Sequence, residues 1–283
     1  MTEPLTADGG QHRVSEVWQE TTATRRRASL LKSATGTGLM AQALSLLIFL
    51  GVWQLFVVVT GIRSYLLPAP TEIFAEMVDS FSLLLSHSWV TLAESLAGFA
   101  LAAVVGVGLA VLMVSVPFLR GVIMPGLVAF NAVPKVAFAP LLIIWLGLGI
   151  ESKIALSFMI AFFPIAVNAT TGMSEIEPEM MNLVRLMRAK RRQEFLKIRI
   201  PHSLPAMFDG FKIALPIAII GAIVAEFVAS SKGLGYLILA AGVQLNTVLV
   251  FAAIFMIVIF SILLYALLLQ VEGRVLGWRP SAR

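Results

Sequence analysis

Apolar residues run through this chain in long unbroken blocks, without the alternating stripe of a surface helix or strand. A helix needs about 20 mainly apolar residues to cross the hydrocarbon core of a bilayer. Six segments reach that length: 39–60, 89–116, 121–150, 153–172, 206–228 and 248–269. The pattern predicts an all-α integral membrane protein of about six transmembrane helices. A polar N-terminal tail, 1–38, precedes a membrane domain at 39–272, and a short tail, 273–283, follows it. The third segment is long and interrupted by Pro125, Pro134 and Pro140. Only a tight turn at 117–120 separates it from the second.

Three further stretches are neither spans nor plain loops. At 64–86 a Leu-Pro-Ala-Pro turn precedes an amphipathic run with Glu72, Glu76 and Asp79 on its polar side. Such a run is expected to lie along the membrane interface. At 230–246 the glycines Gly233, Gly235 and Gly242 flank an apolar centre too short to cross, which suggests a partly embedded helix. The loop 173–205 reads as two short helices. One covers 177–187, with Pro178 at its first position, and the other covers 191–200 and is ended by Pro201.

Composition agrees with the pattern. Of 283 residues, 59% are hydrophobic and 13% charged, against roughly 25% charged in a soluble domain. With no cysteine, disulfides and thiolate metal sites are excluded, and the three histidines lack metal-ligand spacing. The net charge of +5 is explained by its placement. With the N-terminus inside, seventeen Lys and Arg fall on the inner side, and Arg63, Lys153 and Lys232 fall outside. That bias places both termini and 173–205 in the cytoplasm. The basic residues are thus anchors beside the membrane, and no aromatic platform or recognition motif makes them a nucleic-acid surface.

Charges inside spans narrow the candidate chemistry. Prolines free backbone carbonyls, which a membrane tolerates only against protein or a wet cavity. The third span is therefore expected to line a pathway around Asn131, Pro134, Lys135 and Pro140. Lys135 suits two roles: holding an anionic solute or gate, or pairing with Glu94 or snorkelling to the interface. Glu94 and Glu226 are the other intramembrane acids and share the pathway reading. Glu226, near the end of the fifth span, could instead reach water. Ala102, Gly106 and Ala110, four residues apart, read as a close-packing stripe.

Three segments carry a family resemblance. R-L-M-R-A-K-R-R-Q-E-F-L-K-I-R-I-P-H-S-L-P at 185–205 resembles the coupling loop of binding-protein-dependent ABC importer permeases. A-P-L-L-I-I-W-L-G-L-G at 139–149, followed by Ser152 and Lys153, is similar to the same family, as is G-A-I-V-A-E-F at 221–227 with G-L-G-Y at 233–236. Their order resembles the nitrate/sulfonate/taurine branch. The family's Glu-Ala-Ala signature falls at Asn182, Leu183 and Val184, and its following glycine at Arg188. Glu94 stands where many sulfonate-type relatives carry arginine, which weakens the case for a sulfonate substrate.

The resemblance implies a permease subunit of an ABC importer in a bacterial inner membrane. It implies a second copy of the permease, two ATP-binding subunits, an extracytoplasmic solute-binding protein and surrounding lipid as partners. Coupling to the ATPase would fall on Asn182, Leu183, Arg185, Leu186, Arg188, Ala189, Phe195 and Pro201. The chain has no G-x-x-x-x-G-K-[ST] phosphate loop. It is therefore expected to be no enzyme and to hold no cofactor, ATP and Mg being bound by the partners. A secondary transporter or channel would want an inverted repeat and a coupling-ion site. A membrane enzyme would want clustered His, Asp or Glu. The sequence offers neither.

Overall fold

The computed structural model describes residues 40–41 and 43–277, without the side chains of residues 185 and 229. The tail 1–38, the last six residues of the tail 273–283 and the Arg185 side chain lie outside the described residues. The first helix, α1 (Ala43–Thr60), is strongly apolar and belongs to the first of two compact units of the chain.

The second unit is helical throughout its described elements. These are α2 (Pro70–Asp79), α3 (Phe81–Ser115), α4 (Pro117–Ala132), α5 (Ala139–Leu146), α6 (Ile150–Ser174), α7 (Pro178–Leu186), α8 (Arg191–Glu194), α9 (Ile200–Ala229), α10 (Leu234–Val243) and α11 (Thr247–Val275). Five described helices, including α1, are long and apolar enough to cross a membrane. A sixth crossing exists if α4 and the segment Lys135–Leu146 count as one span, although they meet at 84°.

That bend corrects the expected third span. Pro134 has no N–H to continue the helix, and its ring pushes the preceding residue out of the helical region. Val133 is accordingly extended, at φ −71° and ψ 131°. A 3₁₀ turn, Lys135–Phe138, then leads into α5, where Pro140 sits harmlessly in the first turn.

Two other boundaries also move. The helix that carries the second span begins at Phe81, so the polar Ser86, His87 and Ser88 lie within α3, and only α2 remains as a separate helix of the 64–86 stretch. Pro201 does not end a helix. The backbone runs on from α8 into α9 through a π turn, Phe195–Arg199, in which the Ile200 N–H bonds the Phe195 carbonyl. A π turn widens the helix and shifts the carbonyl row, and this relieves the clash a proline makes in a regular helix.

The core is a three-helix stack with α6 in the middle. Lipid is as apolar as a leucine side chain, so helices in a bilayer associate through close van der Waals packing. Small residues provide it here. Ala102 and Ala110 of α3 are wholly buried, and a Cβ on Gly106 between them would meet Ile165 at 3.0 Å. On Gly98 it would lie 2.5 Å from Ser157 Cβ, and on Gly221 of α9 it would lie 2.8 Å from Ser157 Cα. α6 is thus gripped from both sides at Ser157, whose hydroxyl donates to the Ala218 carbonyl at 2.9 Å. Ala161, Ile165, Ala214 and Ala218 continue the seam.

Candidate functional site

The start of α10 carries the densest polar geometry in the described residues. A helix leaves its first N–H groups without partners, and the residue before α10 is Gly233, which has no side chain to cap it. At φ +103° it also adopts a conformation that other residues rarely take. Side chains from other helices supply the caps. The Gly233 N–H donates to His87 Nδ1 at 3.0 Å, Leu234 N–H to Thr91 Oγ1 at 2.8 Å, and Gly235 N–H to Glu226 Oε2 at 2.5 Å. Thr91 in turn donates to Glu226 Oε1 at 2.7 Å.

The sequence permits this because His87 and Thr91 are one helical turn apart on α3, and Glu226 lies at the end of α9 where the chain turns toward α10. A carboxylate at a helix N-terminus also meets the positive end of the helix dipole. The site requires glycine: a Cβ on Gly233 would collide with Glu226, and one on Gly235 would lie 2.7 Å from the Ile223 carbonyl.

One turn further along α3, Glu94 is 1% exposed and pairs with Lys153 of α6 at 3.4 Å. Its second oxygen is buried with no hydrogen-bond partner. Glu226, bonded to Thr91 one turn earlier on α3, is a second buried carboxyl close by. Three readings from the sequence are corrected here. Lys153 is no exposed anchor, since it is 7% exposed. Glu226 does not reach water, because α10 folds over it. Lys135 does not pair with Glu94.

Lys135 turns back onto α4 and donates to Asn131 Oδ1 at 2.7 Å and to the Asn131 carbonyl at 3.2 Å. It closes the end of α4, where unpaired carbonyls favour a cation, and its ammonium lies 5.9 Å from the Phe130 ring. Asn131, Pro134 and Pro140 are exposed around the bend. The pathway residues expected from sequence therefore divide into two places: Asn131, Pro134, Lys135 and Pro140 at the bend, and Glu94 with Glu226 in the buried cluster.

The segment 178–201 is the third candidate region. α7 exposes Leu183 and Leu186, the latter 81% accessible, with Met187 exposed just after it, while Val184 is buried. Asn182 is exposed and Ala189 half-buried. α7 ends in a Schellman arrangement: Ala189 N–H bonds the Val184 carbonyl, with Arg188 between them at φ +48°. This is why glycine suits position 188 in the family pattern. Phe195 is half-buried, with the Arg199 guanidinium 5.4 Å from its ring. Arg199 bonds Glu194 at 2.7 Å and the Met173 carbonyl at 3.0 Å, fixing the π turn to the end of α6.

His87, Thr91, Lys153, Gly233 and Gly235 were not singled out as a site from sequence. The available signal was G-L-G after an intramembrane glutamate, where small residues allow a backbone to approach a buried acid.

Residues 98–277 match the family described as binding-protein-dependent transport system inner membrane component. The chain belongs to this family. The formylaminopyrimidine transport permease protein ThiX of Halalkalibacterium halodurans is 35% identical, over 83% of this chain and 94% of that protein. The riboflavin transport system permease protein RibX of Chloroflexus aurantiacus is 32% identical, over 84% and 89%. The taurine transport system permease protein TauC of Escherichia coli is 28% identical, over 84% and 90%. A chain of the MetNI methionine ABC transporter, solved in inward-facing conformations, shares the fold. Its TM-score is 0.62 at 21% identity, over 70% of this chain and 98% of that one. This binding-protein-dependent permease is a multi-pass membrane subunit of an ABC importer, in the branch that holds the sulfonate and taurine permeases.

Proposed function

We propose that two copies of this permease enclose the solute pathway, with both termini and α7 in the cytoplasm, in a bacterial inner membrane. Two ATP-binding subunits dock on 178–201, and an extracytoplasmic binding protein delivers the solute on the opposite side. The observation that carries this reading is α7: a nine-residue helix outside the spans that leaves Leu183 and Leu186 exposed, with Met187 exposed beside its end. Exposed apolar surface beyond the lipid usually marks a partner. Leu183, Leu186 and Phe195 supply the apolar contact and Arg188 a polar one in place of the missing acidic signature. ATP binding draws the two docking segments together, and the spans respond as rigid bodies.

For the solute, we favour a small neutral heterocycle over a sulfonate. ThiX and RibX are named for transport of formylaminopyrimidine and riboflavin, and both are more similar to this chain than TauC. The lysines within the spans are also committed internally: Lys153 to Glu94, Lys135 to Asn131, and Lys212 to Asp209 and Glu272. Two of the three are already neutralised by carboxylates.

Affinity purification of the tagged permease from its own host tests the partner reading. An ATP-binding subunit in equal copy number is expected, lost when residues 183–199 are deleted from a chain that still reaches the membrane. Retention at full stoichiometry after that deletion overturns the docking site. Mass spectrometry of ligand released from the partner binding protein tests the solute class, and a sulfonate would refute it.

A further inference from the structure

Beside the capped start of α10 is a cavity of about 490 Å³ lined by Ser86, His87, Val90, Ser231, Lys232 and Tyr236. Its chemistry is one-sided. Gly233 presents both its N–H and its carbonyl to His87 Nδ1 at 3.0 Å. The carbonyl already accepts from Leu237 N–H at 3.0 Å, so the N–H is the group that needs Nδ1. Nδ1 then accepts, and the ring proton sits on Nε2 as a donor. Lys232 and Ser231 are exposed, and Tyr236 stacks on His87 with ring centroids 6.0 Å apart. The lining residues carry an ammonium, an imidazole N–H and three hydroxyls, and no carboxyl group. This is a socket for an oxygen anion.

We infer that this cavity receives an acidic side chain of the extracytoplasmic solute-binding protein, and that the trans-capped start of α10 is the wall that registers it. The inference rests on the orientation proposed above, which puts this end of α3 outside. Two observations favour a protein carboxylate. The mouth is open to water at Ser86, Ser231 and Lys232, where a free anion would be weakly held and easily exchanged. A carboxylate fixed on a docking protein arrives with the rest of its interface and loses little further freedom. Membership in a binding-protein-dependent family supplies the partner on that face. The wall also leads inward: His87 holds Gly233, and the next two N–H groups are held by Thr91 and Glu226.

The test is ATPase activity of the complete transporter in lipid nanodiscs, titrated with its solute-loaded binding protein. Lys232→Glu is expected to raise the half-saturating binding-protein concentration about tenfold or more, a usual scale for reversing a docking charge. The rate without binding protein should stay at the wild-type value, and Lys232→Arg should titrate like wild type. Changing one acid on the binding protein to lysine should restore the Lys232→Glu complex. Unchanged half-saturation in Lys232→Glu overturns the socket while leaving the importer reading intact. A wild-type complex that no binding protein stimulates overturns the importer reading itself. Sodium acetate, added without binding protein, separates the sources: a Lys232-dependent change in rate would mean a free-anion site and refute the docking assignment.

Discussion

Glu94 and Lys153 face each other where neither has water to fall back on, and Glu226, bonded to Thr91 one turn before Glu94, is a second buried carboxyl close by. Removing one partner of a buried pair usually costs about 3–5 kcal/mol, because the other charge is left behind. Lys153→Met should therefore sharply lower the melting temperature in detergent. Glu94→Gln should do little, since its amide keeps an acceptor for Lys153, adds a donor beside Glu226 and leaves one acid for one base. Equal losses in the two variants would show that the cluster is not organised around the lysine. Position 188 gives a second single-residue expectation. Arg188 holds a left-handed backbone, which costs roughly 1–2 kcal/mol for a residue with a Cβ. Arg188→Gly should slow hydrogen exchange over 178–189, and Arg188→Val should speed it. Both features were partly visible beforehand. The family's glycine marked position 188, but Lys153 at the edge of an apolar run looked like an interfacial anchor. Its burial depends on α3, whose Glu94 meets it, and on the packing of α6 between α3 and α9, which no local pattern reports.

At the scale of helices, close approach and the π turn dominate. A methyl group on Gly98 would be driven into Ser157, with backbone of α6 directly behind it at Ile154. Overpacking of this kind costs about 1–3 kcal/mol. Gly98→Ala should reduce the folded yield, with partial recovery in Gly98→Ala/Ser157→Gly; no recovery would place the constraint elsewhere. The π turn makes a different prediction. If Pro201→Ala lets Phe195–Arg199 relax to an α-helix, the segment before it turns by roughly 100° about the axis. Single cysteines across 191–196 should then change their labelling pattern, and transport should fall while the permease still assembles. The spans were legible because a bilayer imposes long apolar runs, and the cluster Pro125, Pro134 and Pro140 announced a break. The 84° bend itself was hidden, since it depends on what α5 packs against.

For the whole molecule, orientation follows from the placement of its basic residues. A cysteine replacing Ser80 should label only from the outer face and one replacing Gln193 only from the inner face; reversed labelling would invert the proposal. The buried polar cluster was the least legible part, because Thr91 and Glu226 meet across 135 residues of chain. One consequence follows from the uninterrupted helix through residues 191–228, which is 38 residues long. At 1.5 Å per residue it measures about 57 Å, against a hydrocarbon core of about 30 Å. Close to half of it therefore stands clear of the lipid as a lever. Whatever grips the free end acts with an arm as long as the span, and the far end of that same shaft carries Glu226. A tilt imposed at Phe195 is carried along that shaft, through the π turn and past Pro205 and Pro216, toward the carboxylate that holds α10 in place.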